Sequence, residues 1–87
     1  MQYLLTKQFE KEFARLPKKM KQKAITAIEL FLQNQHDEKL YNHKLSGKYK
    51  TYSSINITGD IRAIYVVADM ETVQFVALGT HSELYGT

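Results

Sequence analysis

The sequence contains no cysteine and no tryptophan, and only one proline and four glycines among its 87 residues. Without cysteine, disulfide bonds, thiolate metal sites and a cysteine nucleophile are excluded, and a reducing cytoplasm suits the chain. The single proline and the glycines fall at separate positions, which excludes a flexible linker or a low-complexity tract. Residues 1–5 are too short for a signal peptide, and no apolar run approaches the ~20 residues of a membrane span. We therefore expect a soluble cytoplasmic protein that does not contact a membrane.

The length and charge of the chain limit its organisation and its partners. A chain of 87 residues fits one domain, 1–87, and a domain of this size buries only about 60% of its unfolded surface. Twelve basic residues against nine acidic residues give a net charge of +3. This excess permits contact with nucleic acid without requiring it.

The first half of the chain has the pattern of one strand followed by two helices. Residues 1–5 are β-prone, and Thr6 offers a hydroxyl to the free amides at a helix start. Apolar residues then recur at spacings of four and three, which places on one helix face Phe9, Phe13 and Leu16. Pro17 ends this helix or opens the next, and residues 18–34 carry a broad apolar stripe. These features predict a helical hairpin.

The second half changes to the two-residue period of strands. Residues 49–57 alternate, and residues 61–68 and 72–78 are strongly apolar. Residues 58–60, Thr-Gly-Asp, are a turn signal because glycine tolerates positive φ and aspartate bonds nearby amides. The predicted fold is α+β: an N-terminal strand and a two-helix hairpin packed on an antiparallel β-sheet (β-α-α-β-β-β). If Ile55 and Ile57 face the core, Ser54 and Asn56 face an open side of the sheet, where a ligand has room.

Histidine is the first candidate for acid or base chemistry near neutral pH, since its unperturbed pKa lies there. His36 lies in a polar stretch typical of a solvated loop. His43 lies just before the strands, where a loop can direct it at the sheet. His81 follows the last strand, and Thr80 or Ser82 is placed to cap a final helical turn after it.

Arg62 begins an otherwise apolar strand, two residues after Asp60. One interpretation is an ion pair between Arg62 and Asp60 at the strand end, which contributes little if exposed. The other is a phosphate clamp, because guanidinium presents a planar fork that matches phosphate oxygens. The residue pattern alone slightly favours the ion pair.

Lysines and tyrosines alternate in the middle of the chain. Lys44, Lys48 and Lys50 give the positive charge that a groove for single-stranded nucleic acid needs. Tyrosines that either stack on bases or pack at the edge of the core are Tyr41, Tyr49, Tyr52 and Tyr85. The histidines are far apart in sequence, no helix carries a zincin-type i, i+4 pair, and the glycines match no nucleotide fingerprint. We expect neither a metal ion nor a cofactor.

Three segments together resemble the RelE/ParE toxin superfamily over almost the whole chain, and most closely its YafQ-like branch. Residues 42–47 (NHKLSG) and 79–86 (GTHSELYG) are similar to the two signature stretches of YafQ-like toxins. Between them, residues 59–65 (GDIRAIY) occupy the place of that family's aspartate turn and following strand. The order of strand, helical hairpin and antiparallel strands is also that of the superfamily.

The resemblance implies a toxin of a bacterial type II toxin-antitoxin system. It implies a ribosome-dependent endoribonuclease (mRNA interferase) that cleaves mRNA in the A site of the 70S ribosome and a cognate antitoxin that covers the active face. The implied catalytic residues are His43, Asp60, Arg62, His81 and Tyr85; the candidate RNA-binding residues are Lys44, Lys48, Lys50 and Asn56. The sequence departs from the family where an aspartate and a histidine are usual on the strand before the turn, since Ser54 and Asn56 stand there. The basic helices predict an acidic or amphipathic antitoxin segment.

The mechanism we expect is metal-free attack of an RNA 2′-hydroxyl on the adjacent phosphate. His43 and His81 transfer protons in either assignment of acid and base, Arg62 stabilises the phosphorane with Lys50 as a helper, and Asp60 orients a histidine or acts as the base. Tyr85 stacks on a base or bonds a phosphate. Two other functions stay open: a ParE-like inhibitor that binds DNA gyrase without catalysis, and a weakened homologue that only binds.

Overall fold

A computed structural model describes residues 1–47 and 50–85 of the chain. In chain order its elements are β1 (Gln2–Leu5), α1 (Lys7–Ala14), α2 (Lys18–Gln33), a short 3-10 turn (Glu38–Leu40), β2 (His43–Lys44), β3 (Ser53–Asn56), β4 (Ile61–Asp69), β5 (Thr72–Thr80) and α3 (His81–Tyr85). The predicted strand and helical hairpin are confirmed. No helix in the described part of the chain is both long and apolar enough to cross a lipid bilayer.

The two long helices start where the sequence predicts. The Thr6 hydroxyl accepts a hydrogen bond from the Phe9 amide at 3.1 Å and therefore caps α1. Pro17 occupies the cap position of α2, and its carbonyl accepts from the amides of Met20 and Lys21, both at 2.9 Å. Proline suits this place because a helix start has no acceptor for its missing N–H. Pro17 therefore opens the second helix.

The five strands form one sheet in the order β1-β5-β4-β3-β2. Strands β2 to β5 are antiparallel neighbours, but β1 pairs with β5 in parallel. The predicted antiparallel sheet is confirmed for β2 to β5, and β1, whose pairing was not predicted, extends it in parallel. Strands β1, β3 and β5 therefore run in one direction, and β2 and β4 run in the other.

Two strand predictions need adjustment. The strand predicted over residues 49–57 is β3, only Ser53–Asn56, and Ile57 lies beyond its end; Tyr49 is outside the described residues. The segment around His43 was expected as a loop and instead forms the edge strand β2, in which His43 pairs with Ser54 and Lys44 with Ser53. Because His43 is paired with β3 and does not lie in a free loop, the sheet orients its side chain.

The core lies between the helical hairpin and one face of the sheet. Phe31 of α2 packs its ring 4.8 Å from that of Tyr65 and 5.6 Å from that of Phe75. Phe9 of α1 contacts Phe75 at 5.7 Å between ring centroids. Beside these aromatics, a row of directly paired buried residues crosses three strands: Ile55, Ala63 and Leu78. Burial of these rings supplies much of the hydrophobic stabilisation.

The opposite face of the sheet is partly covered, and Ser54 was wrongly predicted to be open to a ligand. Ser54 is fully buried, and its hydroxyl has no hydrogen-bond partner among the residues that the structure describes. It shares a cross-strand row with Ile64 and Ala77, which are also buried. Helix α3 packs against β5 on this side: a Cβ at Gly79 would lie 3.1 Å from the Glu83 carboxylate. The alternation of residues along β3 therefore predicted the sheet face of Ser54 correctly, but it did not predict that this face is covered.

A reciprocal pair of hydrogen bonds starts α3. The Glu83 amide donates to the Thr80 hydroxyl at 3.1 Å, and the Thr80 amide donates to Glu83 Oε1 at 2.8 Å. This is a capping box, which satisfies amides that a helix start leaves free. The hydrogen bond from the Thr80 backbone amide lowers the pKa of the Glu83 carboxyl. The predicted cap at Thr80 is confirmed.

We predict that Thr6→Ala destabilises the protein by roughly 1 to 2 kcal/mol. The change removes the cap of α1 and also the hydrogen bond that the Thr6 hydroxyl donates to the Val76 carbonyl at 3.2 Å. Thr6→Ser, which keeps the hydroxyl, and Thr26→Ala, on the exposed side of α2, should each cost less than ~0.5 kcal/mol. Urea unfolding measures the differences; equal midpoints for Thr6→Ala and Thr26→Ala would refute the role of the cap.

Acid should loosen α3 through Glu83. Because the folded-state pKa of Glu83 is lowered, its contribution to stability is present above the unfolded value of about 4.3 and is lost as the pH falls through the folded value. Backbone chemical shifts of Leu84 and Tyr85, followed from about pH 6 to about pH 3, should move away from helical values. In Glu83→Gln, which still accepts from the Thr80 amide, this movement should disappear; its persistence there would exclude Glu83 as the cause.

Candidate active site

A pocket of 320 Å³ opens on the sheet face opposite the helical hairpin. It is lined by the segment through β2, by β4 and by α3, with the residues Tyr41, His43, Leu45, Ser46, Arg62, His81 and Tyr85. Among these are four of the five predicted catalytic residues, which come from three distant parts of the sequence. The meeting of two histidines and an arginine in one concave site gives it the groups for proton transfer and anion binding.

His43 is half-buried and has a defined ring environment. Its Nδ1 atom lies 2.9 Å from the carbonyl oxygen of Tyr41. A carbonyl can only accept, so the neutral ring carries its proton on Nδ1 and leaves the lone pair on Nε2. The Tyr41 ring packs against the imidazole, with 5.0 Å between centroids. The geometry therefore presents His43 as a proton acceptor through Nε2.

Arg62 lies on β4, on the same sheet face as Asn56 and Gly79, with which it is paired. Its Nη1 donates to Asn56 Oδ1 at 2.8 Å, and its Nη2 donates to the Gly59 carbonyl at 3.4 Å. The Nε atom is buried and has no hydrogen-bond partner among residues 1–47 and 50–85. The guanidinium lines the pocket, where its planar group of donors suits an anionic ligand.

The expected ion pair between Asp60 and Arg62 does not form among the described residues. The Arg62 guanidinium bonds to Asn56 across the β3–β4 pair instead, because the register places those two residues directly opposite each other. Asp60 is exposed in the turn before β4, where its amide donates to the Thr58 hydroxyl at 3.2 Å. Asp60 does not line the pocket.

His81 and Tyr85 are one turn apart on α3, so both side chains lie on the same side of the helix. Their rings meet edge to face with 4.6 Å between centroids. His81 is exposed, whereas Tyr85 is half-buried. The capping box at Thr80 and Glu83 fixes the start of this short helix and thereby the position of His81 at the pocket.

Of the predicted RNA-binding residues that the structure describes, none lines the pocket. Lys44 is exposed on β2, and strand alternation directs it away from the side occupied by His43. Lys50 is exposed in the turn before β3, and Lys48 is outside the described residues. Asn56 is half-buried and holds Arg62, so its contact is with the protein.

Leu45 and Ser46 were not predicted as site residues. Leu45 follows His43 by two positions, and its amide donates to the Tyr52 carbonyl at 3.0 Å, which continues the β2–β3 pairing. Two-residue alternation from His43 is the signal that places Leu45 on the pocket side. Within residues 1–47 and 50–85, no three His, Asp or Glu side chains cluster as metal ligands would.

The chain resembles known proteins in both sequence and fold. Residues 1–86 match the model of the family described as "Bacterial toxin of type II toxin-antitoxin system, YafQ". Comparison with curated protein sequences gives no significant match. Among solved structures, YafQ from E. coli strain BL21(DE3) superposes with a TM-score of 0.82 at 23% identity, covering 97% of each chain.

Two similar structures are toxins in complexes with antitoxins. The E. coli DinJ-YafQ complex matches with a TM-score of 0.79 at 24% identity, over 97% of this chain and 96% of that chain. The RelB-RelE complex from Methanococcus jannaschii matches with a TM-score of 0.67 at 23% identity, over 95% of each chain. These likenesses establish the RelE-like fold. Because the family model spans residues 1–86, the chain belongs to the YafQ family of bacterial type II toxin-antitoxin toxins.

Proposed function

We propose that this toxin is a ribosome-dependent endoribonuclease that cleaves mRNA in the ribosomal A site and so stops translation in the cytoplasm. The observation that carries the proposal is the convergence of His43, Arg62, His81 and Tyr85 on one pocket. Two proton-transfer groups and a phosphate-binding cation are what cleavage by an internal 2′-hydroxyl requires.

In the proposed reaction, His43 Nε2 removes the proton from the 2′-hydroxyl, and the resulting oxygen attacks the adjacent phosphorus. The bond to the 5′-oxygen of the next nucleotide breaks, and protonated His81 gives that oxygen its proton. The products are a 2′,3′-cyclic phosphate and a 5′-hydroxyl. The hydrogen bond between His43 Nδ1 and the Tyr41 carbonyl supports the base assignment, since it leaves Nε2 free to accept.

Arg62 is proposed to stabilise the phosphorane, in which negative charge grows on the equatorial oxygens. The hydrogen bonds of Nη1 with Asn56 and of Nη2 with the Gly59 carbonyl support this role, since they hold the guanidinium at the pocket. Asn56 stands where the family has a histidine, so here that position holds the arginine and transfers no proton. Asp60 does not line the pocket, and its catalytic role stays a prediction.

Tyr85 is proposed to stack on a base next to the scissile phosphate, because its half-buried ring faces the pocket beside His81. Lys44 and Lys50, which are both exposed, are proposed to attract the RNA backbone by their charge. Their contribution is to the binding of RNA and not to the chemical step.

A cognate antitoxin is the proposed protein partner, as in the DinJ-YafQ and RelB-RelE complexes. The structure offers a groove of 420 Å³ between α2 and the Glu38–Leu40 turn. Its floor is apolar, with Ala27, Leu30, Leu40 and Ile57, and the lysines at its rim are Lys19, Lys23 and Lys39. This arrangement suits an acidic amphipathic segment. Its apolar side chains would pack on the floor, and its carboxylates would pair with the lysines at the rim.

We predict that His81→Ala and His43→Ala each abolish growth arrest and lower mRNA cleavage at least about 10²-fold. The proteins are induced in a bacterial host, and new 5′ ends of mRNA are mapped at translating ribosomes. His36→Ala is the matched control, because His36 is exposed in a loop outside the pocket. Co-expression of the cognate antitoxin should restore growth with the wild type.

Each other outcome of that experiment has a defined meaning. Growth arrest without mRNA cuts would reject the nuclease, and a loss of DNA supercoiling by gyrase would then identify a ParE-like inhibitor. No arrest with the wild type would favour a homologue that only binds. Cuts that persist in both histidine variants would reject these two residues as the proton-transfer groups.

We predict that Arg62→Lys lowers the kcat for cleavage about 10²-fold with little change in KM. Lysine keeps the charge but loses the planar fork and the bond to Asn56. Lys44→Ala and Lys50→Ala should instead raise KM and weaken its salt dependence while kcat stays within about twofold. Single-turnover cleavage on mRNA-programmed ribosomes separates the two effects, and the same pattern in all three variants would contradict the distinct role of Arg62.

A further inference from the structure

We propose that Tyr65 and Asn42 are positioning residues that fix the tautomer of His43, an inference that rests on the proposed nuclease function. Neither residue lines the pocket. They act through a chain of hydrogen bonds that runs from the buried sheet to the segment carrying His43.

The chain of hydrogen bonds starts at Tyr65, inside the core. Tyr65 is only 5% exposed, and its ring is held by Phe31 at 4.8 Å and by Phe75 at 5.9 Å between centroids. Its hydroxyl donates to Asn42 Oδ1 at 2.9 Å. The Asn42 Nδ2 then donates to the carbonyl of Gln35 at 2.8 Å. Both ends of the Asn42 amide are therefore tied, one to β4 and the other to the loop after α2.

Asn42, held by these two hydrogen bonds, lies in the sequence between Tyr41 and His43. The hydrogen bond between Tyr41 and His43 sets the tautomer of the proposed base. Tyr41 has φ 47° and ψ 49°, a left-handed conformation that costs a residue with a Cβ free energy. In that conformation its amide donates to the Glu38 carbonyl at 3.2 Å, and its own carbonyl accepts from His43 Nδ1 at 2.9 Å. Asn42 links Tyr41 to His43, so the tied amide limits how far either peptide can turn.

The left-handed backbone of Tyr41 is strained and is kept in place by its neighbours. Once Asn42 is released, Tyr41 can relax toward the extended region, which turns its carbonyl away from His43. The imidazole then has no acceptor that selects the Nδ1 proton, and the proton distributes over both nitrogens. A neutral ring with its proton on Nε2 cannot accept the 2′-hydroxyl proton through that atom, so the active fraction of the enzyme falls.

The test is Tyr65→Phe, which keeps the buried ring and removes only the hydroxyl. Ring ¹⁵N chemical shifts of His43, recorded where the imidazole is neutral, should change from a single Nδ1–H form to a mixture of tautomers. On programmed ribosomes, kcat should fall about tenfold, while KM stays within about twofold. Asn42→Ala should give the same changes, and the double variant should be no worse than either single one, because both break the same chain.

Tyr3→Phe is the matched control, since Tyr3 also packs on Phe75 but its hydroxyl makes no hydrogen bond among the described residues. It should leave the tautomer and kcat unchanged. Thermal unfolding of every variant is measured alongside, with a loss of about 5 °C expected for Tyr65→Phe. If Tyr65→Phe does not fold, Asn42→Ala and Asn42→Ser, which change a half-buried residue, decide the question with the same two readouts.

The outcomes separate this inference from the proposed function. If Tyr65→Phe and Asn42→Ala lose stability but retain the Nδ1–H form and full kcat, the positioning role is overturned and the nuclease stands. If the wild type does not cleave mRNA at all, the proposed function fails. The ring ¹⁵N spectra still show in that case whether Tyr65 and Asn42 select the tautomer.

Discussion

The long antiparallel pair β4–β5 is the constraint on which the rest of the structure depends. Over its middle, both faces are buried: Ala63 and Leu78 pack toward the helical hairpin, and Ile64 and Ala77 lie under the opposite side. Beyond the end of β1, α1 takes over the free edge of β5, where the Leu78 amide donates to Glu12 Oε1 at 2.9 Å. The pocket with the two histidines and Arg62 lies beside α3, away from these packed surfaces.

The side chains that line the pocket are carried by elements that pack on the core at the other side of the sheet. Arg62 is the second residue of β4, the next three residues are buried, and Asn56 on the neighbouring strand accepts a hydrogen bond from the guanidinium. His43 depends on an edge strand and on the Asn42 anchor, while His81 depends on a five-residue helix fixed by one capping box.

Periodicity predicted the helices and the three long strand segments because their apolar patterns match the geometry of each element. It failed where pairing decides the outcome. Nothing in residues 1–5 indicates a parallel partner, and a two-residue strand such as β2 is too short to have a period. Ser54 was assigned to the correct face but to the wrong environment, since alternation reports orientation and not what covers a face. The Asp60–Arg62 pair failed for a similar reason: the cross-strand register gave the guanidinium a nearer acceptor.

By itself, the sequence determined the α+β class, the order of the elements and the caps at Thr6 and Thr80, and it indicated His43, Arg62, His81 and Tyr85 as candidate site residues. These features depend on local geometry or on motifs, both of which are written in neighbouring residues. Only the tertiary structure decided that these four side chains share a pocket, that Asp60 stays outside it, and that His43 presents Nε2. Those outcomes depend on strand register and on contacts between residues far apart in the chain, such as Tyr65 with Asn42, which no local pattern encodes.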